Sequence, residues 1–197
     1  MTLVLLDTNV YLRLAKRVRP LLGVPFSDNN YVITILKDVV DEVHRSNKLT
    51  FYNPWFDAKE LVTERLAKQV RLSGDEKNRL NAAQSVLHNL PKGDLRYLKD
   101  GRSPPGMTDC RVLAFSQIRS AVIVTDDLGM HLLASDVEIT VWHGYELLSN
   151  MRSSGMISDV LIREIYEALE NNDDMTKSWK VAKHTIFADI FGDTATT

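Results

Sequence analysis

An α/β fold with a mostly parallel central sheet, arranged as three layers α/β/α, is predicted by three observations. Short apolar runs alternate with helix-length amphipathic segments along the 197 residues. The runs are continuous rather than alternating, as suits strands buried on both faces. The composition, 44% apolar and 25% charged, is that of an ordinary globular chain.

Leu3–Leu6 is the first such run, ended by Asp7. Thr8 and Asn9 are placed to cap a helix continuing through Val10, Leu12, Leu14 and Ala15. Residues 23–30, rich in Gly, Pro, Asn and Asp, predict a loop. Tyr31–Ile35 is β-branched and aromatic, so it reads as a strand or the run-in to the helix Lys37–Arg45. Residues 54–90 read as an inserted α-hairpin. Leu61, Leu66 and Val70 form one stripe, Ser73-Gly74-Asp75 the turn, and Leu80, Ala83, Val86, Leu87 and Leu90 the second stripe. A Gly- and Pro-rich loop, 100–107, leads to a helix opening at Thr108. Ala121–Val124 is the next strand, followed by Thr125-Asp126-Asp127 and a helix through Leu132 and Leu133. Val137–Trp142 is a further strand, and Gly144–Met151 a helix. Residues 156–170 form an amphipathic helix with Ile157, Leu161, Ile165 and Leu169 in its stripe. A last helix is expected through Trp179, Ile186 and Phe187, with a frayed end at Thr194–Thr197.

The expected organisation is one unit over 1–150 and a helical extension over 151–197 that packs on it or binds a partner. A chain this long buries enough surface to fold without staples. A single cysteine, Cys110, excludes an internal disulfide and suits a reducing, cytoplasmic setting. No apolar run approaches a membrane span, and the acid at Asp7 argues against a signal peptide. The net charge of −2 does not advertise a nucleic-acid binder, but it is unevenly spread. Residues 151–197 hold five basic against eight acidic side chains, and Arg13, Lys16, Arg17 and Arg19 cluster just after Asp7. That cluster is either a solvated helix face or a basic surface beside an acidic pocket.

Four acidic positions stand out, one of them an aspartate pair. Ligands of open α/β sheets bind beyond the carboxyl ends of the strands. Asp7 and the Asp126-Asp127 pair follow strands directly. Glu42 lies on the helix after Tyr31–Ile35, and Asp109 in the first turn of the helix from Thr108. Each alone reads as a turn residue, a helix cap or a solvated side chain. Their order and context together are harder to assign to capping.

That order resembles the PIN-domain family of metal-dependent nucleases. The matching pieces are Leu5-Leu6-Asp7-Thr8-Asn9, Val39-Val40-Asp41-Glu42-Val43, Met107-Thr108-Asp109-Cys110 with Ala114, and Ile123-Val124-Thr125-Asp126-Asp127. The resemblance covers residues 1–150, and its motifs are short. It implies a PIN-like sheet and a carboxylate pocket that binds Mg²⁺ or Mn²⁺ and hydrolyses RNA phosphodiester bonds. Carried over, Asp7, Glu42 and Asp109 are the central acids. The family places the fourth acid two residues after the threonine, which selects Asp127, with Asp126 sharing metal contact or facing solvent. Asn9 and Thr125 match positions that support the acids by hydrogen bonding, and Arg13 and Lys16 are candidates for substrate contact. The chemistry is coherent: hard divalent cations prefer oxygen donors, and crowded carboxylates resist ionisation until a cation joins them. The hairpin and the extension are enlargements over small family members. Those members are often toxins held by a small antitoxin protein.

Other constellations lack support. The five histidines show no zinc-ligand spacing, and no nucleophile elbow or phosphate-binding glycine loop occurs. An aspartyl phosphatase would need an acid where Asn9 stands. Cys110 reads as a small buried residue, and Trp55, Trp142 and Trp179 as packing residues. The rivals are a catalytically inactive RNA- or protein-binding module and a phosphomonoesterase using the same acids. A homodimer is the commonest soluble assembly and is expected here.

Overall fold

The computed structural model describes residues 1–192 as an α/β molecule built on a five-stranded, mostly parallel sheet. The strands are β1 (Thr2–Leu6), β2 (Pro25–Phe26), β3 (Tyr31–Thr34), β4 (Ala121–Val124) and β5 (Val141–Trp142), in spatial order β2-β3-β1-β4-β5. β3, β1, β4 and β5 run parallel, and β2 pairs antiparallel on the edge. β1 is central because its apolar residues need cover on every side: Val4, Leu5 and Leu6 have no exposed surface. The chain steps from β1 to β3 on one side, then crosses to β4 on the other. That reversal makes a crevice beyond the carboxyl ends of β1 and β4.

The helices are α1 (Thr8–Ala15), α2 (Lys37–Arg45), α3 (Asn47–Tyr52), α4 (Lys59–Lys68), α5 (Gly74–Asn89), α6 (Met107–Phe115), α7 (Leu128–Asp136), α8 (Gly144–Ser153), α9 (Asp159–Asn171), α10 (Lys177–Thr185) and α11 (Ala188–Phe191). Short 3-10 turns lie at Pro54–Asp57 and Leu95–Leu98. Helix α6 is buried nearly all round, through Cys110, Val112, Leu113, Ala114 and Phe115. It packs on α2, α5, α7 and β4. No helix among the described residues is long and apolar enough to cross a membrane.

Several expectations need correction. Asp7 itself caps α1, its carboxylate accepting the Val10 amide, so Thr8 is the first helical residue and not the cap. The loop expected over 23–30 contains the edge strand β2. Over 54–90, α4 and α5 are both present, but α5 lies chiefly against α6. Ser73-Gly74-Asp75 is the start of α5: Ser73 caps it in a reciprocal capping box with Glu76. Leu80 and Leu87, two turns apart, form a narrow buried line, while Val86 and Leu90 face outward. Leu61 is buried, but Leu66 is exposed, and Val70 lies beyond α4 and donates to the Ile35 carbonyl. The strand expected over Val137–Trp142 shrinks to Val141–Trp142. Helix α7 runs to Asp136, and Glu138 turns the chain at a φ of 55°. Helix α6 opens one residue earlier than Thr108.

The segment after 150 forms α9–α11, joined to the sheet by one continuous apolar core. Ile162, Ile165, Tyr166, Leu169, Trp179, Phe187 and Ile190 belong to the same buried cluster as Val4 and Leu6. The buried line of α9 is Ile162, Ile165, Tyr166 and Leu169, with Leu161 half-buried at its edge. The end at Thr194–Thr197 lies outside the described residues.

Candidate active site

Strand register builds the centre of the crevice. Leu6 pairs with Val124, so the next residues, Asp7 and Thr125, lie side by side. The Asp7 amide donates to the Val124 carbonyl at 3.0 Å, and the Thr125 amide donates to Trp142 at 3.0 Å. The buried Thr125 hydroxyl donates to Asp7 Oδ2 and accepts the Asp127 amide at 3.1 Å. Asp7 Oδ1 accepts from Val10 at 2.7 Å. One threonine thus ties together the acids that follow two neighbouring strands.

The other acids enter from helices. Glu42, on the second turn of α2, accepts the hydroxyl of Thr8. Asp109, third residue of α6, accepts the Gly106 amide at 2.8 Å. Asp127 caps α7 by accepting the Met130 amide at 2.8 Å. The N-termini of α1, α6 and α7 therefore each carry one of the acids, and their dipoles favour negative charge there. The loop before α6 is held over the start of α7: a Cβ on Gly129 would stand 1.9 Å from the Ser103 carbonyl oxygen.

These acids repel one another. Burial first, then the neighbouring charges of Asp126 and Asp109, push the Asp7 carboxyl up to about 7, against the lowering pull of its hydrogen bonds to Thr125 and Val10. Burial first, then Glu42 and Asp127, raise Asp109 despite its hydrogen bond from Gly106. Asp7, Glu42, Asp109 and Asp127 have no cationic partner among the described residues, although Lys and Arg pair with many other acids of the chain. One oxygen each of Glu42, Asp109 and Asp127 is held by hydrogen bonding, and the other is unpartnered among the described residues.

Among the described residues, no three His, Cys, Asp or Glu side chains form a ready coordination set. The donor chemistry nevertheless fits a hard divalent cation: carboxylate oxygens only, mutually repelling, with one oxygen left open on Glu42, Asp109 and Asp127 while both Asp7 oxygens accept hydrogen bonds.

The two aspartates after Thr125 diverge, as successive residues at a strand end do. Asp127 faces Asp109 electrostatically. Asp126, placed by the family pattern as a possible sharer of the metal, is instead bound into the protein. Its Oδ2 pairs with Arg13 at 2.5 Å, its Oδ1 accepts the Gly144 amide at 3.0 Å, and His143 Nδ1 stands 3.5 Å away. Burial alone would raise its carboxyl, but His143 and Arg13 outweigh that and lower it. Arg13, expected at substrate, is occupied by Asp126 and by Asp174, whose two oxygens it grips at 2.8 and 2.9 Å. Asn9, expected to support the acids, is exposed and makes no hydrogen bond to them among the described residues. Thr8 takes that part, because one step along a helix turns a side chain by about 100°. The sequence signal for Thr8 was its place directly after Asp7. Lys16 is exposed, one turn beyond Arg13.

Comparison with protein-family models, with curated proteins and with solved structures finds no match for this chain.

Proposed function

We propose that the protein is a divalent-metal-dependent ribonuclease of the PIN type. In this reading the sheet and its helices form the three-layer PIN-like arrangement, and Asp7, Glu42, Asp109 and Asp127 hold Mg²⁺ or Mn²⁺. The observation that carries it is the group of four acids, buried or half-buried, that repel one another without a cation from the protein to balance them. Charges buried without partners are costly, so a chain that gathers them has a use for the missing positive charge.

Bound there, the cation would neutralise the acids, attract a phosphate and lower the pKa of a water. The protein's own contribution is positioning. Thr125 and Val10 hold Asp7, Thr8 holds Glu42, and the capped helix ends hold Asp109 and Asp127. Asp126 serves outside this set: it anchors Arg13 and the start of α8. A toxin role fits the same pocket, because a small antitoxin offering a basic side chain would supply the charge the acids lack.

The test is cleavage of a labelled structured RNA with Mg²⁺, with Mn²⁺ and with EDTA, the Asp7→Asn protein run in parallel. Cutting should require the metal and fall at least about 100-fold in Asp7→Asn, the scale of losing a key electrostatic group. Cutting that survives in Asp7→Asn would reject this site. Release of phosphate from a small monoester, with RNA left intact, would favour a phosphomonoesterase. Metal-dependent thermal stabilisation without turnover would favour an inactive binding module.

A further inference from the structure

Beside the acids, a cavity of about 540 Å³ opens between α1, the segment from α3 into the Pro54–Asp57 turn, and α9. Its size is that of a small-ligand site. Arg13, Lys16 and Arg17 line one side, and Tyr52 and Trp55 another. The C-terminal extension supplies the third wall, including Leu169 and Asp174.

Three features set this cavity apart from an ordinary surface hollow. Lys16 and Arg17 have no carboxylate at ion-pair distance among the described residues, so their charge is uncompensated. Tyr52 leaves 68% of its surface exposed, next to Phe51, which leaves 78%. These two rings meet edge to face at 5.3 Å, and Trp55 is braced on Phe56 at 6.5 Å. Exposed aromatic rings beside uncompensated cations match the demands of an unpaired nucleotide, whose base stacks while its phosphate is neutralised. Finally, the cavity runs along α1, the helix that Asp7 caps: Asn9, two residues after Asp7, and Arg13 line it. Arg13 already grips the Asp174 carboxylate by two hydrogen bonds, so the charge left for a phosphate is that of Lys16 and Arg17.

We propose that this cavity binds a nucleotide of single-stranded RNA, with its base against Tyr52 and Trp55 and its backbone phosphate on Lys16 and Arg17. The extension then forms a wall of the substrate path. The choice of RNA rests on the nuclease reading; the choice of an unpaired strand rests on the rings, since bases in a duplex already stack on one another. Trp55, which the sequence suggested was a packing residue, then both packs on Phe56 and serves the cavity.

Binding is measured by fluorescence anisotropy of a fluorescein-labelled, mixed-sequence RNA strand of about 12 nucleotides, within the span of single-strand sites. The full chain is used in EDTA, so that cleavage does not run. The single strand should bind, and the same strand annealed to its complement should bind at least about tenfold more weakly. Tyr52→Ala should weaken binding by about tenfold, the scale of one lost stacking contact. Lys16→Glu combined with Arg17→Glu should weaken it by about tenfold or more and flatten its salt dependence. Lys77→Glu, on α5, should leave it unchanged. Lys16 and Tyr52 are exposed and Arg17 is half-buried outside the apolar core, so these changes leave that core intact. Failure of the native chain to bind, equal binding of duplex, or indifference to both cavity variants would each overturn the proposal. RNA bound here yet never cut with Mg²⁺ would reject the nuclease and leave the cavity standing. Cutting with binding untouched by the cavity variants would do the reverse.

Discussion

Asp7 shows how one side chain carries a structural and a chemical task together. It caps α1 and closes the β1–β4 junction through Thr125, and these hydrogen bonds favour its charged form. Burial outweighs them and lifts its carboxyl to about 7. An unfolded aspartate titrates near 3.9. Between those values the folded chain holds a proton that the unfolded chain has lost. Its contribution to stability is therefore complete below about pH 4 and is lost as the pH rises through about 7. Asp7→Asn keeps an uncharged cap and removes the titration. Thermal melts in EDTA at about pH 5 and about pH 8 should show the native chain losing more stability than Asp7→Asn as the pH rises. Parallel slopes for the two proteins would show that Asp7 ionises normally.

At the scale of elements, capped helix ends place the chemistry, and at α5 an ion pair reinforces the cap. Helix α5 is the clearest case. Its capping residue Ser73 and its third-position Glu76 satisfy each other's backbone amides at 2.8 and 3.2 Å. Glu76 also receives Arg119, in the turn between α6 and β4, at 2.7 and 3.0 Å. That pair pins α5 against the connection that leads into the site strand β4. The Arg119 hydrogen bond, then the Ser73 amide, hold the Glu76 carboxyl down at about 2, well below its ordinary value of 4.5. With a depressed folded pKa, the stabilisation is present above about 4.5 and lost as the pH falls towards 2. Urea titrations should therefore show the midpoint of the native chain falling more steeply between about pH 5 and about pH 3 than that of Glu76→Gln. Equal acid sensitivity in the two would mean that the pair does not hold in solution.

Across the whole molecule, the extension completes the core behind the site. Trp179 of α10 is 1% exposed and packs edge-on against Tyr145 and Tyr166 at 5.8 and 5.3 Å. It fills the space over Gly144, where a Cβ would stand 2.7 Å from its ring and 3.1 Å from Asp126 Oδ2. Arg13 then bridges Asp126, beside the site, to Asp174 in the extension. Trp179→Ala should cost about 3–5 kcal/mol, the range for a buried aromatic, read from chemical denaturation. A cost under about 1 kcal/mol, typical of surface changes, would mean that the extension docks only loosely.

Strands β1, β3 and β4, most of the helices and the α/β class were legible in the chain because they follow from local rules. Continuous apolar runs such as Leu3–Leu6 and Ala121–Val124 need burial on both faces, and helices between them supply it. The positions of Asp7 and Asp127 at strand ends were legible for the same reason. Pairings between distant residues were not, because they depend on register and on which way each helix end is turned. Tertiary structure put Thr8, and not Asn9, against Glu42. It withdrew Asp126 from the acids and gave it to Arg13. It laid α5 along α6 and wove the extension into one core. Each of these contacts joins segments far apart in the chain. A local pattern shows which residues need partners, but only the packed molecule brings those partners within reach.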